Sequence, residues 1–176
     1  ICHFSVDNDV VNMTTRLNGE NTFFLPYNKT LNNLETQSDG YPVDYLWKEV
    51  LIPTSLLEII ENFVLFTHET ESVWSDEKNK VIKEKKPVLI FPRYHQLDVI
   101  RKLKSQVSED GVGKNYLVQH TTGSGKSFEI GWLSFMLTNL FKNEGEDRVF
   151  DSIIIITDRK VLDRQLQDTV KSLEKV

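Results

Sequence analysis

The chain has 176 residues, of which 39% are hydrophobic and 27% charged, with a formal net charge of -5 at pH 7. This composition is typical of a soluble globular protein and excludes a disordered, collagen-like or coiled-coil chain. No apolar run approaches the roughly 18 residues that a membrane span requires, and no export signal is recognisable after Ile1. A single cysteine, Cys2, excludes a disulfide framework, so we expect a cytoplasmic protein without membrane association.

The charge is unevenly distributed along the chain. Residues 1–75 hold 3 basic and 11 acidic side chains, whereas residues 76–176 hold 18 basic and 15 acidic ones. The second part opens with a basic stretch that comprises Lys78, Lys80, Lys83, Lys85, Lys86, Arg93, Arg101, Lys102 and Lys104. Such a run is usually a solvated face, and a nucleic-acid surface is the alternative.

Strands and short helices are predicted in the first half of the chain. Apolar residues alternate loosely on both sides of Asp7-Asn8-Asp9, which favours a hairpin with a turn at these residues. Later apolar residues recur at helical spacing behind Pro53, which a first helical turn tolerates. The predicted elements are a hairpin over 3–16, a loop over 28–43, helices over 45–50 and 53–66, and two strands with a charged turn over 73–91.

Helices and strands alternate in the second half. Leu97, Ile100, Leu103 and Val107 recur at spacings of three and four, which is typical of an amphipathic helix. The predicted elements are a helix over 94–107, a break over 111–114, a strand over 116–118, a helix over 126–141, a strand over 153–156, and a final helix with Val161, Leu162, Leu166, Val170 and Leu173 on one side. A strand of four isoleucines between helices predicts a parallel sheet covered on both faces, and hence an α/β fold.

The most informative segment is His120-Thr121-Thr122-Gly123-Ser124-Gly125-Lys126-Ser127, between a predicted strand and a predicted helix. Backbone N–H groups in such a loop converge on an anion, and glycines permit close approach and positive φ. The start of the next helix adds unpaired N–H groups and partial positive charge. We therefore predict that Lys126 reaches the β- and γ-phosphates of a nucleotide and that Ser127 is a Mg²⁺ ligand. His120 replaces the first glycine of the strict pattern, and a chance glycine-rich turn is the plain alternative.

An acid after the four isoleucines offers a competing interpretation. The run ending at Asp158 imitates the second motif of nucleotide sites, whose acid helps to hold Mg²⁺. Arg159 follows where a second acid would be expected for hydrolysis, and Asp158 is well placed as the N-cap of the last helix. We favour the cap, with a small P-loop phosphotransferase that uses Asp158 as an alternative.

Three phrases of the sequence carry a family resemblance: Phe91-Pro92-Arg93-Tyr94-His95-Gln96-Leu97-Asp98, the loop at 120–127, and Thr157-Asp158-Arg159-Lys160-Val161-Leu162-Asp163-Arg164-Gln165. Together they resemble the restriction (R) subunit of type I restriction–modification enzymes, which belongs to the superfamily 2 helicase-like motors. Residues 14–17, 22–28 and 45–51 are similar to the segment between nuclease and motor in that subunit. The family commonly carries histidine at the position of His120.

The resemblance implies roles for individual residues. The implied ATP-binding set is Gln96, which would read adenine, with Thr122, Gly123, Ser124, Gly125, Lys126 and Ser127, of which Lys126 and Ser127 are catalytic and Ser127 holds Mg²⁺. Thr157 and Arg159 would lie near the DNA. If the resemblance is set aside, the plain interpretation is that Gln96 is an ordinary surface amide and that Arg159 is a solvated residue at a helix start. Glu84-Lys85-Lys86 spells the Glu-x-Lys of the family's nuclease centre, but we interpret it as coincidence.

The resemblance also implies an architecture and partners. Residues 1–27 would end a nuclease-side domain, 28–90 would form a mixed α+β linking region with helices and a hairpin, and 91–176 would begin a P-loop (RecA-like) parallel-sheet motor lobe. The implied cofactors are ATP and Mg²⁺, and the implied partners are double-stranded DNA and the methylation and specificity subunits of a type I complex. Because only one strand follows the loop and the first residue is Ile1, we expect a fragment that is inactive alone.

Two further alternatives follow from the sequence: another superfamily 2 DNA helicase, or a non-catalytic interaction module whose loop binds nothing. The four histidines, His3, His68, His95 and His120, show no metal-ligand spacing.

Overall fold

The computed structural model describes residues 1–30, 33, 40–75, 79–142, 147–158, 166–167 and 170–171. The chain divides into two units, residues 1–92 and residues 93–176. The elements described in the first unit are β1 (His3–Val6), β2 (Val11–Thr14), β3 (Leu25–Pro26), a π-helical turn (Leu46–Val50), α1 (Pro53–Asn62), β4 (Leu65–Ser75) and β5 (Lys80–Ile90). Those described in the second unit are α2 (Tyr94–Asp110) and α3 (Lys126–Thr138). Part of the predicted loop over 28–43 lies outside the described residues.

The first three strands form an antiparallel sheet in the order β1-β2-β3. Val6 lies opposite Val11, which confirms the first predicted hairpin. Asp7 holds the turn, because its Oδ1 accepts hydrogen bonds from the N–H groups of Asp9 and Val10, each at 2.8 Å. These two bonds stabilise the ionised carboxylate and lower the pKa of Asp7.

Aromatic side chains pack together inside the first unit. The ring of Phe4 meets that of Tyr27 edge-on at 5.2 Å between centroids and that of Phe91 at 5.9 Å. Tyr27 is fully buried, and its carbonyl oxygen accepts a 2.8 Å hydrogen bond from the hydroxyl of Tyr45. Burial raises the pKa of Tyr45 to about 12, so this hydroxyl keeps its proton at neutral pH. These contacts join β1 to the segment that follows β5.

The helical predictions for the first unit are confirmed in part. Residues 45–50 contain the π-helical turn, and α1 begins at Pro53. The sequence predicts an α1 that continues four residues beyond Asn62, and this is wrong. Leu65 already pairs with Ile90 in a β-ladder, which satisfies its backbone groups in place of the helix.

β4 and β5 form a long antiparallel ribbon, paired from Leu65 and Ile90 at one end to Ser75 and Lys80 at the other. Two strands and a charged turn are predicted here, but only over 73–91. β4 begins at Leu65, eight residues before the predicted start of the first strand. The middle of β4, residues 67–72, has the sequence Thr-His-Glu-Thr-Glu-Ser. Such a stretch has no apolar alternation, so only the pairing with β5 identifies it as a strand.

The second unit contains the two predicted amphipathic helices. α2 buries three residues of its predicted apolar face, Leu97, Ile100 and Val107, and ends before the predicted break. α3 ends at Thr138, three residues before its predicted end, because Phe141 forms an antiparallel bridge with Arg148 instead. Residues 166–167 and 170–171 are helical, and the rest of the predicted final helix lies outside the described residues.

The predicted parallel sheet does not form among the described residues. Neither 116–118 nor 153–156 is paired as a strand, and both sheets of the described chain are antiparallel. A strand needs a neighbour to bond its N–H and C=O groups, and the apolar sequence of these runs cannot supply that neighbour. Leu117 and Ile156 are about nine-tenths exposed, at 92% and 89%. The mixed α/β content is confirmed, and the parallel order is not.

No helix among the described residues has the length and apolar composition to cross a membrane.

Candidate functional site

The loop at 120–127 turns into α3 through two glycines with positive φ. Gly123 has a φ of +80° and Gly125 a φ of +87°, a region that residues with a Cβ rarely adopt. Ser124 lies between them and is 7% exposed, and its Oγ has no hydrogen-bond partner among the described residues. Left-handed residues beside a helix N-terminus form a backbone concavity of the kind that binds anions.

Lys126 and Ser127 form the first turn of α3. The Nζ atom of Lys126 folds back over the loop and donates hydrogen bonds to the carbonyl oxygens of His120, at 3.1 Å, and Thr121, at 2.6 Å. The side chain is exposed, so a phosphate oxygen can compete for the ammonium. Ser127 is half-buried in the same turn, where backbone N–H groups have no intrahelical acceptor. The predicted phosphate and Mg²⁺ ligands are thus adjacent at a helix N-terminus.

Gln96 is buried against the loop rather than exposed as an ordinary surface amide would be. Its Oε1 accepts a 2.8 Å hydrogen bond from the N–H of Arg93, which caps the start of α2. Its Nε2 donates to the carbonyl oxygens of Ser124, at 3.0 Å, and Gly125, at 3.3 Å. The side chain is 4% exposed. Gln96 therefore connects the N-terminus of α2 to the two loop residues that precede α3.

A cluster that the sequence analysis did not identify supports the same loop. Nδ1 of His120 lies 2.9 Å from Oε1 of Glu129, which is buried on α3. Nε2 of His95 lies 3.6 Å from that oxygen and 3.0 Å from the carbonyl oxygen of Ser124. Because a carbonyl oxygen only accepts, Nε2 of His95 must carry a hydrogen. The loop is thereby held from α2 and from α3.

The surroundings of His95 favour its neutral form. Burial is the main cause that lowers the pKa of His95, and the bond to Ser124 opposes the shift. The charge of Arg93 lowers the pKa further.

One ligand atom from each of His95, His120 and Glu129 lies within 4.8 Å of the others, a spacing that could hold a metal ion. The sequence shows no metal-ligand spacing because these residues come from three separate segments.

A cleft of about 470 Å³ opens beside the loop, lined by Arg93, His95 and residues 119–124. Thr122, a predicted ATP-binding residue, is exposed on its wall. A Cβ at Gly123 would have open space around it, so the loop backbone is accessible to a ligand. The accessible backbone, the exposed ammonium and the buried, unbonded Ser124 hydroxyl fit a phosphate group.

The residues predicted to lie near DNA are described only in part. Thr157 is half-buried and Asp158 exposed, whereas Arg159 lies outside the described residues. The start of the final helix lies outside them as well, so the structure does not test the predicted cap at Asp158. Glu129 is the residue that sequence reasoning missed, because a single glutamate in a helix is usually a solvated residue.

Comparisons with known proteins agree with the predicted resemblance. The family model described as SWI2/SNF2 ATPase matches residues 95–176. A Methanocaldococcus jannaschii protein described as the endonuclease subunit of the type I restriction enzyme MjaVIIIP is 29% identical over 154 residues. This alignment covers 80% of the present chain and 13% of the relative, so the chain spans a small part of that protein's length. No solved structure matches the chain. The resemblance to type I restriction subunits of the helicase-like superfamily is confirmed.

Proposed function

We propose that the chain is the ATP-binding part of a type I restriction subunit, and that it binds Mg-ATP through residues 120–127. The observation that carries this proposal is the loop itself. Two glycines in the left-handed region flank a buried serine, and Lys126 and Ser127 follow at the N-terminus of α3. The match of residues 95–176 to the SWI2/SNF2 ATPase family supports it, because the loop lies within the matched range.

Each loop residue has a distinct role in this proposal. Lys126 would exchange its bonds to the carbonyls of His120 and Thr121 for bonds to the β- and γ-phosphates. The N–H groups of Gly123 and of the first turn of α3 would bind the same phosphates. The hydroxyl of Ser127 would hold Mg²⁺, which when bound neutralises charge on the transferred phosphoryl group.

Gln96 would connect recognition of the base to the loop. Both of its N–H groups are directed at the Ser124 and Gly125 carbonyls, and its Oε1 keeps a second lone pair beyond the bond from Arg93. A base that bonds to this carboxamide would therefore shift the atoms that hold the loop. An adenine contact at Gln96 would in this way favour one loop conformation.

The proposed activity of the parent protein on DNA involves more than the nucleotide loop. We propose that the parent protein couples ATP hydrolysis to movement along double-stranded DNA before cleavage, with Thr157 and Arg159 near the DNA and ATP at the loop. Residues 1–27, 28–90 and 91–176 would belong to the nuclease side, the linking region and the first motor lobe, whose parallel sheet would need strands from outside this chain. The parent would act with methylation and specificity subunits. The similarity to a type I endonuclease subunit supports this assignment.

Calorimetric titration of the 176-residue chain with Mg-ATP tests the proposal. Lys126→Ala removes a charge-assisted contact worth about 1.5–3 kcal/mol, so the affinity should fall by roughly ten- to a hundredfold. Lys114→Ala is the matched control, because Lys114 is an exposed lysine of the same unit outside the loop. Equal Mg-ATP affinity in the wild-type chain and Lys126→Ala would contradict the proposal.

A further inference from the structure

The ribbon of β4 and β5 has two faces of different chemistry. Directly opposed residues in an antiparallel pair project from the same face, and successive residues alternate between faces. The pairing therefore defines an open face that consists of Phe66, His68, Thr70, Ser72, Trp74, Val81, Lys83, Lys85, Pro87 and Leu89. Nine of these ten residues are exposed, and Leu89 is partly so. The opposite face, which carries the buried Leu65, is called the inner face below.

Acidic side chains are confined to the inner face. All three glutamates of the two strands, Glu69, Glu71 and Glu84, lie there by register, and the open face has none. Glu71 is paired at 2.8 Å with Arg16 and at 2.6 Å with Lys86. These two cations lower the pKa of Glu71 to about 2, so the charge of this inner-face carboxylate is compensated.

The lysines of the open face lack such partners. Lys83 and Lys85 are exposed, and within the described part of the chain neither forms an ion pair. They stand opposite Ser72 and Thr70, which are uncharged. The open face therefore presents uncompensated positive charge in a chain whose net charge is negative. Such a patch has the electrostatic character that attracts a polyanion.

Large apolar side chains also point to solvent on this face. Trp74 is 56% exposed and Phe66 is 78% exposed, the reverse of the usual burial of aromatic residues. The two lie eight residues apart on one strand, a separation of about 26 Å. The lysines lie between them on the neighbouring strand. Aromatic planes at both ends of a basic strip are the arrangement used to stack unpaired bases and to bind the backbone that joins them.

We propose that the open face of the ribbon binds single-stranded DNA, with phosphates at Lys83 and Lys85 and bases stacked on Trp74 and Phe66. The choice of DNA rests on the proposed function, whereas the charge and stacking argument does not depend on the nucleotide loop. A single strand is favoured over a duplex because paired bases offer no face to an aromatic ring. An acidic protein would match the lysines but has no equivalent need for two exposed aromatic planes.

Fluorescence anisotropy with a labelled fifteen-residue oligothymidylate, measured without nucleotide on the 176-residue chain, tests the lysines. Lys83→Gln should lower the slope of log affinity against log salt by about 0.7, the value for one phosphate contact on a single strand. Lys80→Gln is the matched control, since Lys80 is an exposed lysine of the same strand on the inner face. Its salt slope should equal that of the wild-type chain.

A second pair of variants tests the aromatic contact. Trp74→Ala should weaken binding about 5- to 100-fold, whereas Phe23→Ala, at an exposed aromatic residue outside the ribbon, should not weaken it. The oligonucleotide should quench tryptophan emission in the wild-type chain, and this quenching should be lost in Trp74→Phe while binding is retained. Far-UV circular dichroism of each variant checks that the ribbon is folded.

Several outcomes would overturn the proposal. They are no binding of the oligonucleotide at low salt, equal salt slopes for Lys83→Gln and Lys80→Gln, no effect of Trp74→Ala, and tighter binding of a duplex of the same length. Because the measurement is made without Mg-ATP, its result does not depend on nucleotide binding at the loop. A chain that binds the oligonucleotide with the expected effects of Lys83→Gln and Trp74→Ala, and yet fails to bind Mg-ATP, would contradict the proposed function. That result would leave the DNA-binding proposal in place.

Discussion

Gln96 and Gly125 lie so close together that a Cβ on Gly125 would collide with Nε2 of Gln96. The first residue is on α2 and the second ends the loop, and the carboxamide bonds to the Gly125 carbonyl at 3.3 Å. Glycine at 125 is therefore required twice, by its φ of +87° and by this contact. The conformation of the loop thus depends on a helix that lies almost thirty residues earlier in the chain.

Gly125→Ala is expected to weaken Mg-ATP binding and to destabilise the second unit. Left-handed backbone costs a residue with a Cβ about 1–2 kcal/mol, and the collision displaces Gln96 as well. Gly113→Ala is the control, since its φ is +95° but a Cβ there meets nothing within 4 Å. Both variants should melt at lower temperature, and only Gly125→Ala should lose nucleotide affinity by calorimetry. A parallel loss of affinity in Gly113→Ala would contradict this reading of the loop.

Gln96→Glu should destabilise the loop by about 1–3 kcal/mol, because it replaces two N–H donors that face buried carbonyl oxygens with an acceptor. Chemical denaturation followed by circular dichroism measures the effect. Gln106→Glu makes the same chemical change at an exposed position of α2, where little effect is expected. Equal unfolding free energies for the two variants would show that the amide does not hold the loop.

His95 should make the second unit less stable in mild acid. Its pKa is lowered in the folded chain from the ordinary value of 6.5, so the unfolded chain takes up the proton first as the pH falls. The contribution is complete above about pH 6.5 and is lost as the pH falls below it. His95→Gln removes the titrating group, so its melting temperature should change less between pH 7.5 and pH 5.5 than that of the wild-type chain. An equal change in melting temperature between these two pH values for the wild-type chain and His95→Gln would contradict this role of His95.

Tyr45→Phe should lower the stability of the first unit by about 0.5–1.5 kcal/mol, the usual net contribution of one hydrogen bond. The change removes the hydroxyl that donates to the buried carbonyl oxygen of Tyr27. Tyr41→Phe serves as the control, because Tyr41 is 59% exposed. Urea unfolding should separate the two variants, and a wild-type midpoint for Tyr45→Phe would count against the bond's contribution.

Local patterns predicted several elements correctly. α2 follows from apolar residues at spacings of three and four, and the first hairpin from the Asp7 turn. Both signals concern residues that are neighbours in sequence. The length of β4 could not be predicted in the same way, because its middle is polar on both faces and only β5 pairs with it. The parallel sheet was predicted from an apolar strand of four isoleucines between helices, and this local pattern cannot supply a neighbouring strand.

The candidate site also combines residues that local sequence patterns identify with residues that only the tertiary structure brings together. Gly123, Gly125, Lys126 and Ser127 identify the loop in the sequence, because positive-φ glycines and a helix start are local properties of consecutive residues. Only the tertiary structure brought Gln96 and His95 to the loop, since hydrogen bonds across about thirty residues depend on how two helices pack. It also showed that Glu129 of α3 contacts His120, nine residues earlier in the chain. The sequence by itself therefore identified the loop in which we propose that a phosphate binds, and the packing of α2 and α3 decided what holds that loop in place.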